Sequence, residues 1–98
     1  MRIRILESAI VDLKAGKDFY DRQEAGVGDY FQDCLISDID SLVLYGGMHR
    51  KVFGFHRLLS KHLPYAIYYL HEGDVVVVYR ILDCRRDPQR IRRSLEDR

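Results

Sequence analysis

The sequence has few prolines and cysteines, no tryptophan and no long apolar run. Two prolines in 98 residues exclude a proline-rich architecture, and two cysteines, Cys34 and Cys84, are too few for a disulfide framework. Apolar runs such as Val75 to Tyr79 fall far short of the roughly 20 residues that a membrane-spanning helix needs. Residues Met1 to Ile5 alternate polar and apolar, unlike a secretory leader. We therefore expect a soluble, cytoplasmic protein without membrane contacts.

The composition is that of a folded globular domain. Hydrophobic residues make up 47% of the chain and charged residues 32%, which excludes disorder caused by low hydrophobicity. The length matches one small domain over residues 1–98. No spacing of His, Cys and Asp resembles a metal site, so we expect neither a metal ion nor a cofactor.

Charge is distributed unevenly along the chain. Residues 1–48 contain five Lys and Arg against nine Asp and Glu, whereas residues 49–98 contain eleven against six. Much of the basic excess lies near the C-terminus, at Arg80, Arg85, Arg86, Arg90, Arg92, Arg93 and Arg98. Because guanidinium groups bind carboxylates and phosphates in a bidentate manner, this end suits an acidic protein surface or a nucleic-acid backbone. Solvated surface charge is the alternative interpretation.

The first half of the chain predicts one strand followed by two helices. Alternation from Arg2 to Leu6 indicates a half-buried strand. Ser8 is a suitable N-cap for a helix whose apolar stripe contains Ile10, Leu13, Lys17 and Tyr20, with Phe19 beside it. After a break at Gly26 to Gly28, a second helix has its apolar stripe at Phe31, Leu35, Ile39 and Leu42, joined by Cys34 and Val43, and ends at Gly46 and Gly47.

The second half predicts three strands and a short helix. The strands are Lys51 to Lys61, with a bulge or bend at Gly54, then Tyr65 to Leu70, and the central strand Val75 to Leu82. Pro88 fits the first turn of a terminal helix, Gln89 to Glu96. We expect an α+β fold, β-α-α-β-β-β, with an antiparallel sheet packed against an N-terminal helical hairpin and a short C-terminal helix.

Several segments resemble the RelE/ParE toxin superfamily of type II toxin–antitoxin modules. They are Ala9 with Asp12 and Leu13, Phe19 and Tyr20, the Gly26 to Gly28 turn with Phe31, residues Leu63 to Tyr69, and Arg85 to Pro88. The resemblance covers nearly the whole chain in order. It implies a plasmid stabilisation-type toxin that causes growth arrest and is neutralised by a cognate acidic antitoxin in a hetero-oligomer.

The superfamily divides by chemistry. RelE-like members cleave mRNA on the ribosome, whereas ParE-like members inhibit DNA gyrase. The ribonuclease branch commonly has an arginine before the tyrosine-containing strand and a His or Tyr after the last strand. The corresponding positions here read His62-Leu63-Pro64 and Arg85-Arg86-Asp87-Pro88, so neither that arginine nor that His or Tyr is present where the ribonuclease pattern places it. The resemblance therefore implies the ParE-like branch and gyrase as a partner, with mRNA endonuclease activity on the ribosome as the alternative.

Residue chemistry suggests two groups of candidate site residues. RNA cleavage needs a base, an acid and a cation, for which His56, Arg57 and Lys61 are candidates. Alternation places His56 on the face opposite Arg57, and Lys61 on the face of Arg57 if the strand is regular. Binding of the antitoxin or target is assigned to the arginine cluster, defined as Arg85, Arg86, Arg90, Arg92 and Arg93. The tyrosines Tyr45, Tyr65, Tyr68, Tyr69 and Tyr79 are interpreted as core residues rather than a base-stacking platform.

Overall fold

The computed structural model describes residues 1–97, so Arg98 of the predicted basic end lies outside the described residues. The chain contains five strands and four helices within that range. In order they are β1 (Arg2–Ile5), α1 (Glu7–Gln23), α2 (Val27–Asp40), α3 (Leu42–Tyr45), β2 (Lys51–Val52), β3 (Phe55–Leu59), β4 (Tyr65–Glu72), β5 (Val75–Asp83) and α4 (Pro88–Glu96). The predicted α+β layout is confirmed.

All five strands form one sheet in the order β1-β5-β4-β3-β2. The expectation of a purely antiparallel sheet is wrong for one pair, because β1 runs parallel to β5 with Arg2 opposite Val75. The other neighbours are antiparallel. β5 therefore lies inside the sheet, as its continuous apolar sequence predicted.

One face of the sheet is covered by the helical hairpin α1–α2. The predicted stripe of α2 is confirmed, because Phe31, Leu35 and Ile39 are at most 2% exposed. They pack against strand residues such as Ile67 and Tyr69. The stripe assigned to α1 is partly wrong, since Ile10 and Phe19 are exposed, and Ala9 and Gly16 are the buried positions.

The other face of the sheet is covered by α4. Ile91 and Leu95 of this helix are buried with Ala66, Tyr68 and Leu82. Pro88 occupies the first turn as predicted, and the Asp87 side chain caps the helix by accepting a hydrogen bond from the backbone N–H of Gln89 (2.9 Å). The buried apolar residues and the Asp87 cap therefore anchor α4, which is strongly amphipathic but only nine residues long.

The single strand predicted over Lys51 to Lys61 is instead a hairpin of β2 and β3. Phe53 and Gly54 form a two-residue turn between paired Val52 and Phe55. The predicted burial of Tyr68 and Tyr69 is confirmed, whereas Tyr45 is 52% exposed because it lies on the outer side of the single-turn helix α3.

Candidate functional site

Helix α1 covers the part of the β5 edge that β1 does not reach. β1 pairs only with Val75 to Val78. Beyond it, the Ser8 hydroxyl donates to the carbonyl of Tyr79 (2.7 Å), and an Asp12 carboxylate oxygen accepts from the backbone N–H of Ile81 (2.9 Å). Ser8 is thus an edge-capping residue and not the predicted N-cap, which is Leu6. These contacts close the edge to strand addition at Tyr79 to Ile81.

Arg80 connects three elements around that edge. Its guanidinium donates twice to the Asp12 carboxylate of α1, at 2.7 and 2.9 Å, and once to the Ser94 carbonyl of α4 at 2.7 Å. The hydrogen bonds to Asp12 raise the pKa of Arg80 above its ordinary value. The sequence analysis counted Arg80 in the basic C-terminal end. In the structure it is a structural residue that links the two helical layers, the α1–α2 hairpin and α4.

The arginine cluster surrounds the end of β5 and the start of α4. All five of its residues are exposed. Two of them are paired within the chain, since Arg85 binds Asp83 (2.7 Å) and Arg92 binds Glu96 (3.2 Å). The Arg85 guanidinium holds the pKa of Asp83 below its usual range. Among residues 1–97, Arg86, Arg90 and Arg93 have no hydrogen-bonded or ion-paired side-chain partner.

A cavity of about 260 Å³ lies beside the cluster, between α1 and the ends of β4 and β5. Its walls combine apolar side chains with Arg86, and they are formed by Asp12, Ala15, Gly16, Phe19, Tyr65, Ile81, Asp83 and Arg86. Phe19 on its rim is 44% exposed. The arginine cluster therefore continues into a recess of mixed polar and apolar lining that is large enough for one bulky side chain.

The three ribonuclease candidates do not meet in space. The His56 ring stacks on Tyr69 on the helical-hairpin face, with ring centroids 5.1 Å apart. Arg57 is paired with Tyr68 across the two strands and lies with it on the α4 face. Lys61 follows the end of β3, and lines a cavity with residues of α2 that include Asp38. Arg57 and Lys61 were expected to share a face only if the strand stayed regular, and this condition is not met because β3 ends at Leu59.

A polar network surrounds the buried hydroxyl of Tyr69. It accepts a hydrogen bond from the backbone N–H of Gly47 (3.0 Å) and contacts Nδ1 of His49. Nδ1 of His56 hydrogen-bonds the His49 carbonyl. Burial and the neighbouring His56 lower the pKa of His49, which favours its neutral form. This network fixes the loop between α3 and β2 and was not predicted from the sequence.

Metal-binding clusters and membrane-spanning helices are both absent from residues 1–97. Within residues 1–97, no group of three or more His, Cys, Asp and Glu side chains could hold a metal ion. No helix in the same range combines the length and apolar character needed to cross a membrane.

Comparison with known proteins identifies the fold. The sequence matches no protein-family model and no curated protein. The structure is similar to a chain of the "Chromosomal ParDE TA system from P. aeruginosa", with a TM-score of 0.74 and 17% sequence identity. The match covers 83% of this chain and 92% of that chain. At this identity the likeness establishes a shared fold, in agreement with the fold that the sequence resemblance implied.

Proposed function

We propose that this protein is the toxin of a type II toxin–antitoxin module and that it acts by binding DNA gyrase. Its fold is that of a chain from a ParDE TA system, over most of both chains. The sequence segments Leu63 to Tyr69 and Arg85 to Pro88 resemble the same superfamily. Fold and sequence resemblance thus support the same family by separate routes.

The separation of the ribonuclease candidates favours binding over cleavage. A transesterification at one phosphate needs its base, acid and cation within hydrogen-bonding reach of the same few atoms. Here the sheet itself lies between His56 and Arg57, and Lys61 packs beside α2. This spatial separation is the observation that carries the choice of a non-catalytic, ParE-like toxin.

The test compares gyrase and mRNA as targets. Purified protein is expected to inhibit gyrase supercoiling and to leave mRNA intact in a reconstituted translation reaction. Its expression without antitoxin should arrest growth. Cleaved mRNA together with unaffected gyrase would contradict the proposal, and unaffected growth would indicate an inactive module component.

The mRNA endonuclease remains the second candidate because of one feature. The His56 ring is held by its stacking on Tyr69 and its hydrogen bond to His49, as a positioned acid–base group would be. That function requires His56→Ala to abolish growth arrest while the protein stays folded. Retained growth arrest in this variant would exclude His56 as a catalytic residue.

The arginine cluster is proposed to bind the acidic antitoxin. Charge complementarity supports this assignment, since among residues 1–97 the side chains of Arg86, Arg90 and Arg93 form no ion pair or hydrogen bond. A disordered acidic segment that folds on binding could place carboxylates along α4 and fill the recess beside Arg86.

Calorimetry with the cognate acidic antitoxin tests this contact. Arg86→Ala with Arg90→Ala should weaken binding and reduce its dependence on salt. Arg85→Ala is the matched control, because Asp83 already neutralises Arg85 and its loss should matter less. An unchanged affinity and salt slope in the double variant would remove the cluster from the antitoxin interface.

A further inference from the structure

The buried hydroxyl of Tyr69 holds the loop between α3 and β2. Tyr69 is fully buried, and its hydroxyl oxygen accepts a hydrogen bond from the backbone N–H of Gly47 (3.0 Å). The same hydroxyl is bonded to Nδ1 of His49, and the two rings meet edge to face with centroids 5.6 Å apart. Gly47, His49 and Tyr69 together are called the loop latch here, because their contacts join residues 46–50 to β4.

The direction of these hydrogen bonds follows from where the hydroxyl proton can go. A tyrosine hydroxyl can donate one proton and can also accept. Gly47 supplies a donor, and within residues 1–97 the hydroxyl is bonded to no acceptor other than Nδ1 of His49. Tyr69 therefore donates to His49, and Nδ1 of His49 must carry no proton. The closed latch requires a neutral His49 ring.

Protonation of His49 is incompatible with the closed latch. It converts Nδ1 from an acceptor into a donor, so that two protons would point at each other and the buried hydroxyl would lose its acceptor. Burial and the neighbouring His56 lower the pKa of His49 below its ordinary value of 6.5. Because the closed loop resists protonation in this way, binding of a proton favours the open loop.

His56 is attached to the latch but tolerates a proton. Its Nδ1 faces the carbonyl oxygen of His49, which can only accept, so His56 is the donor in this hydrogen bond. Neutral and protonated His56 both have a proton available for it. A positive charge on His56 would act on His49 by repulsion and would disfavour a second positive charge there.

The remaining charged groups near the loop do not offset a positive charge on His49. Within residues 1–97, no carboxylate forms an ion pair or a hydrogen bond with His49. The groups are mainly basic, and they are His71 of β4 beside Gly47, Arg50 and Lys51 directly after His49, and the Met1 ammonium group, which is paired with Asp74 (3.9 Å). Protonated His49 would therefore gain no compensating partner in the closed loop.

We propose that the loop latch is a proton-operated switch, in which residues 46–50 are held against β4 while His49 is neutral and are released when His49 is protonated. The opening is local. At the end of the loop, the Arg50 carbonyl accepts a hydrogen bond from the backbone N–H of Arg57 (3.0 Å), and this bond contains no titratable group. The switch is a property of the fold and does not depend on the proposed toxin function.

Amide hydrogen exchange of Gly47, followed by NMR and corrected for the intrinsic effect of pH on exchange, measures the opening. The protection of this amide should fall about threefold or more between about pH 7.5 and about pH 5, because each unit below the ordinary pKa can add up to tenfold. Amides of the central strand β5 should keep their protection over the same range.

Three variants identify the titrating group. His49→Asn keeps an acceptor near the position of Nδ1 but cannot be protonated, so it should remove the pH dependence. His71→Asn is the matched control, because it makes the same change at an exposed histidine beside Gly47 and should leave the pH dependence intact. Tyr69→Phe removes only the hydroxyl, and it should lower the protection of Gly47 at both pH values and return the pKa of His49 towards 6.5.

Each contrary result overturns a specific part of the switch. Equal protection of Gly47 at both pH values in the unmodified protein, or a pH dependence that survives in His49→Asn, would exclude His49 as the sensor. Unchanged protection of Gly47 in Tyr69→Phe would exclude the hydroxyl as the catch. Loss of protection throughout β5 at low pH would show global unfolding instead of a local opening. An NMR titration that gives His49 a pKa of 6.5 or higher in the unmodified protein would refute the proton accounting even if a variant failed to fold.

Discussion

Replacing Asp12 by alanine should destabilise the fold more than any surface substitution. One carboxylate oxygen of Asp12 accepts hydrogen bonds from Nε of Arg80 (2.7 Å) and from the backbone N–H of Ile81 (2.9 Å), and the other accepts from the Arg80 guanidinium at 2.9 Å. The Asp12 and Arg80 side chains are only 12% and 18% exposed. Alanine would therefore remove three hydrogen bonds in a largely dry environment.

The expected cost follows from what the substitution leaves behind. Breaking a buried ion pair by removing one partner costs about 3–5 kcal/mol, because the other charge stays buried without compensation. The unpaired Ile81 N–H adds about 1–3 kcal/mol if water does not reach it. Arg80 keeps its bond to the Ser94 carbonyl and some solvent contact, so we expect the lower end of the summed range, about 4 kcal/mol in total. Asp12→Asn should cost less, because its amide oxygen can still accept from Ile81.

Urea unfolding of Asp12→Ala, Arg80→Ala and the double variant measures the interaction directly. The double-mutant cycle should give a coupling energy of at least about 1.5 kcal/mol, since the residues are in direct contact. The exposed Arg92–Glu96 pair is the control, and Glu96→Ala should change stability little. A loss below about 1 kcal/mol for Asp12→Ala, or no coupling with Arg80, would refute the view that this pair joins the two helical layers.

Three further substitutions test other parts of the fold. Leu35→Ala should cost about 2–5 kcal/mol in urea unfolding because Leu35 is fully buried, and a near-neutral result would mean that α2 is oriented differently. Gly16→Ala should lower the thermal midpoint despite alanine's higher helix propensity, because its Cβ would clash with the ring of Phe31. An increase would show that the ring moves freely. The lowered pKa of His49 means that the folded state resists its protonation, so this contribution to stability is complete above pH 6.5 and is lost as the pH falls towards the folded pKa. His49→Gln should therefore flatten the decrease in stability below pH 6.5, and an identical pH profile would contradict that role.

The elements that could be predicted from the sequence are those that bury a single face, such as α2, or that lie wholly inside the sheet, such as β5. The residues Phe31, Leu35 and Ile39 recur at helical spacing because a single face of α2 meets the sheet. β5 was identified by its β-branched run because it has a neighbouring strand on each side along Val75 to Val78.

The β2–β3 hairpin was missed because its turn lacks the usual sequence signal. Asn-Gly or Asp-Gly announces a two-residue turn, whereas Phe53 followed by Gly54 looks like an apolar strand with a bulge.

The roles of Ser8 and Asp12 could not be predicted from the residues that neighbour them in the sequence. Their partners Tyr79 and Ile81 lie 71 and 69 positions away along the chain. Near the start of a helix, a serine is readily explained as an N-cap, and an aspartate as a favourable negative charge in an early turn. Only the pairing of a short parallel β1 with β5 leaves an uncovered edge that these side chains then satisfy.

The charge imbalance of the sequence overstates the surface that a partner can use. A count assigns equal weight to every arginine, yet Arg80 and Arg85 are each neutralised by an aspartate within the chain. Within residues 1–97, Arg86, Arg90 and Arg93 form no ion pair, and Arg86 interacts with the already paired Asp83 only through its charge. Forming a new ion pair with an arginine that is already paired requires breaking the existing one, so its net contribution to binding is small. An acidic partner should therefore depend on these three arginines far more than on Arg85, although all four are exposed and close together in the sequence.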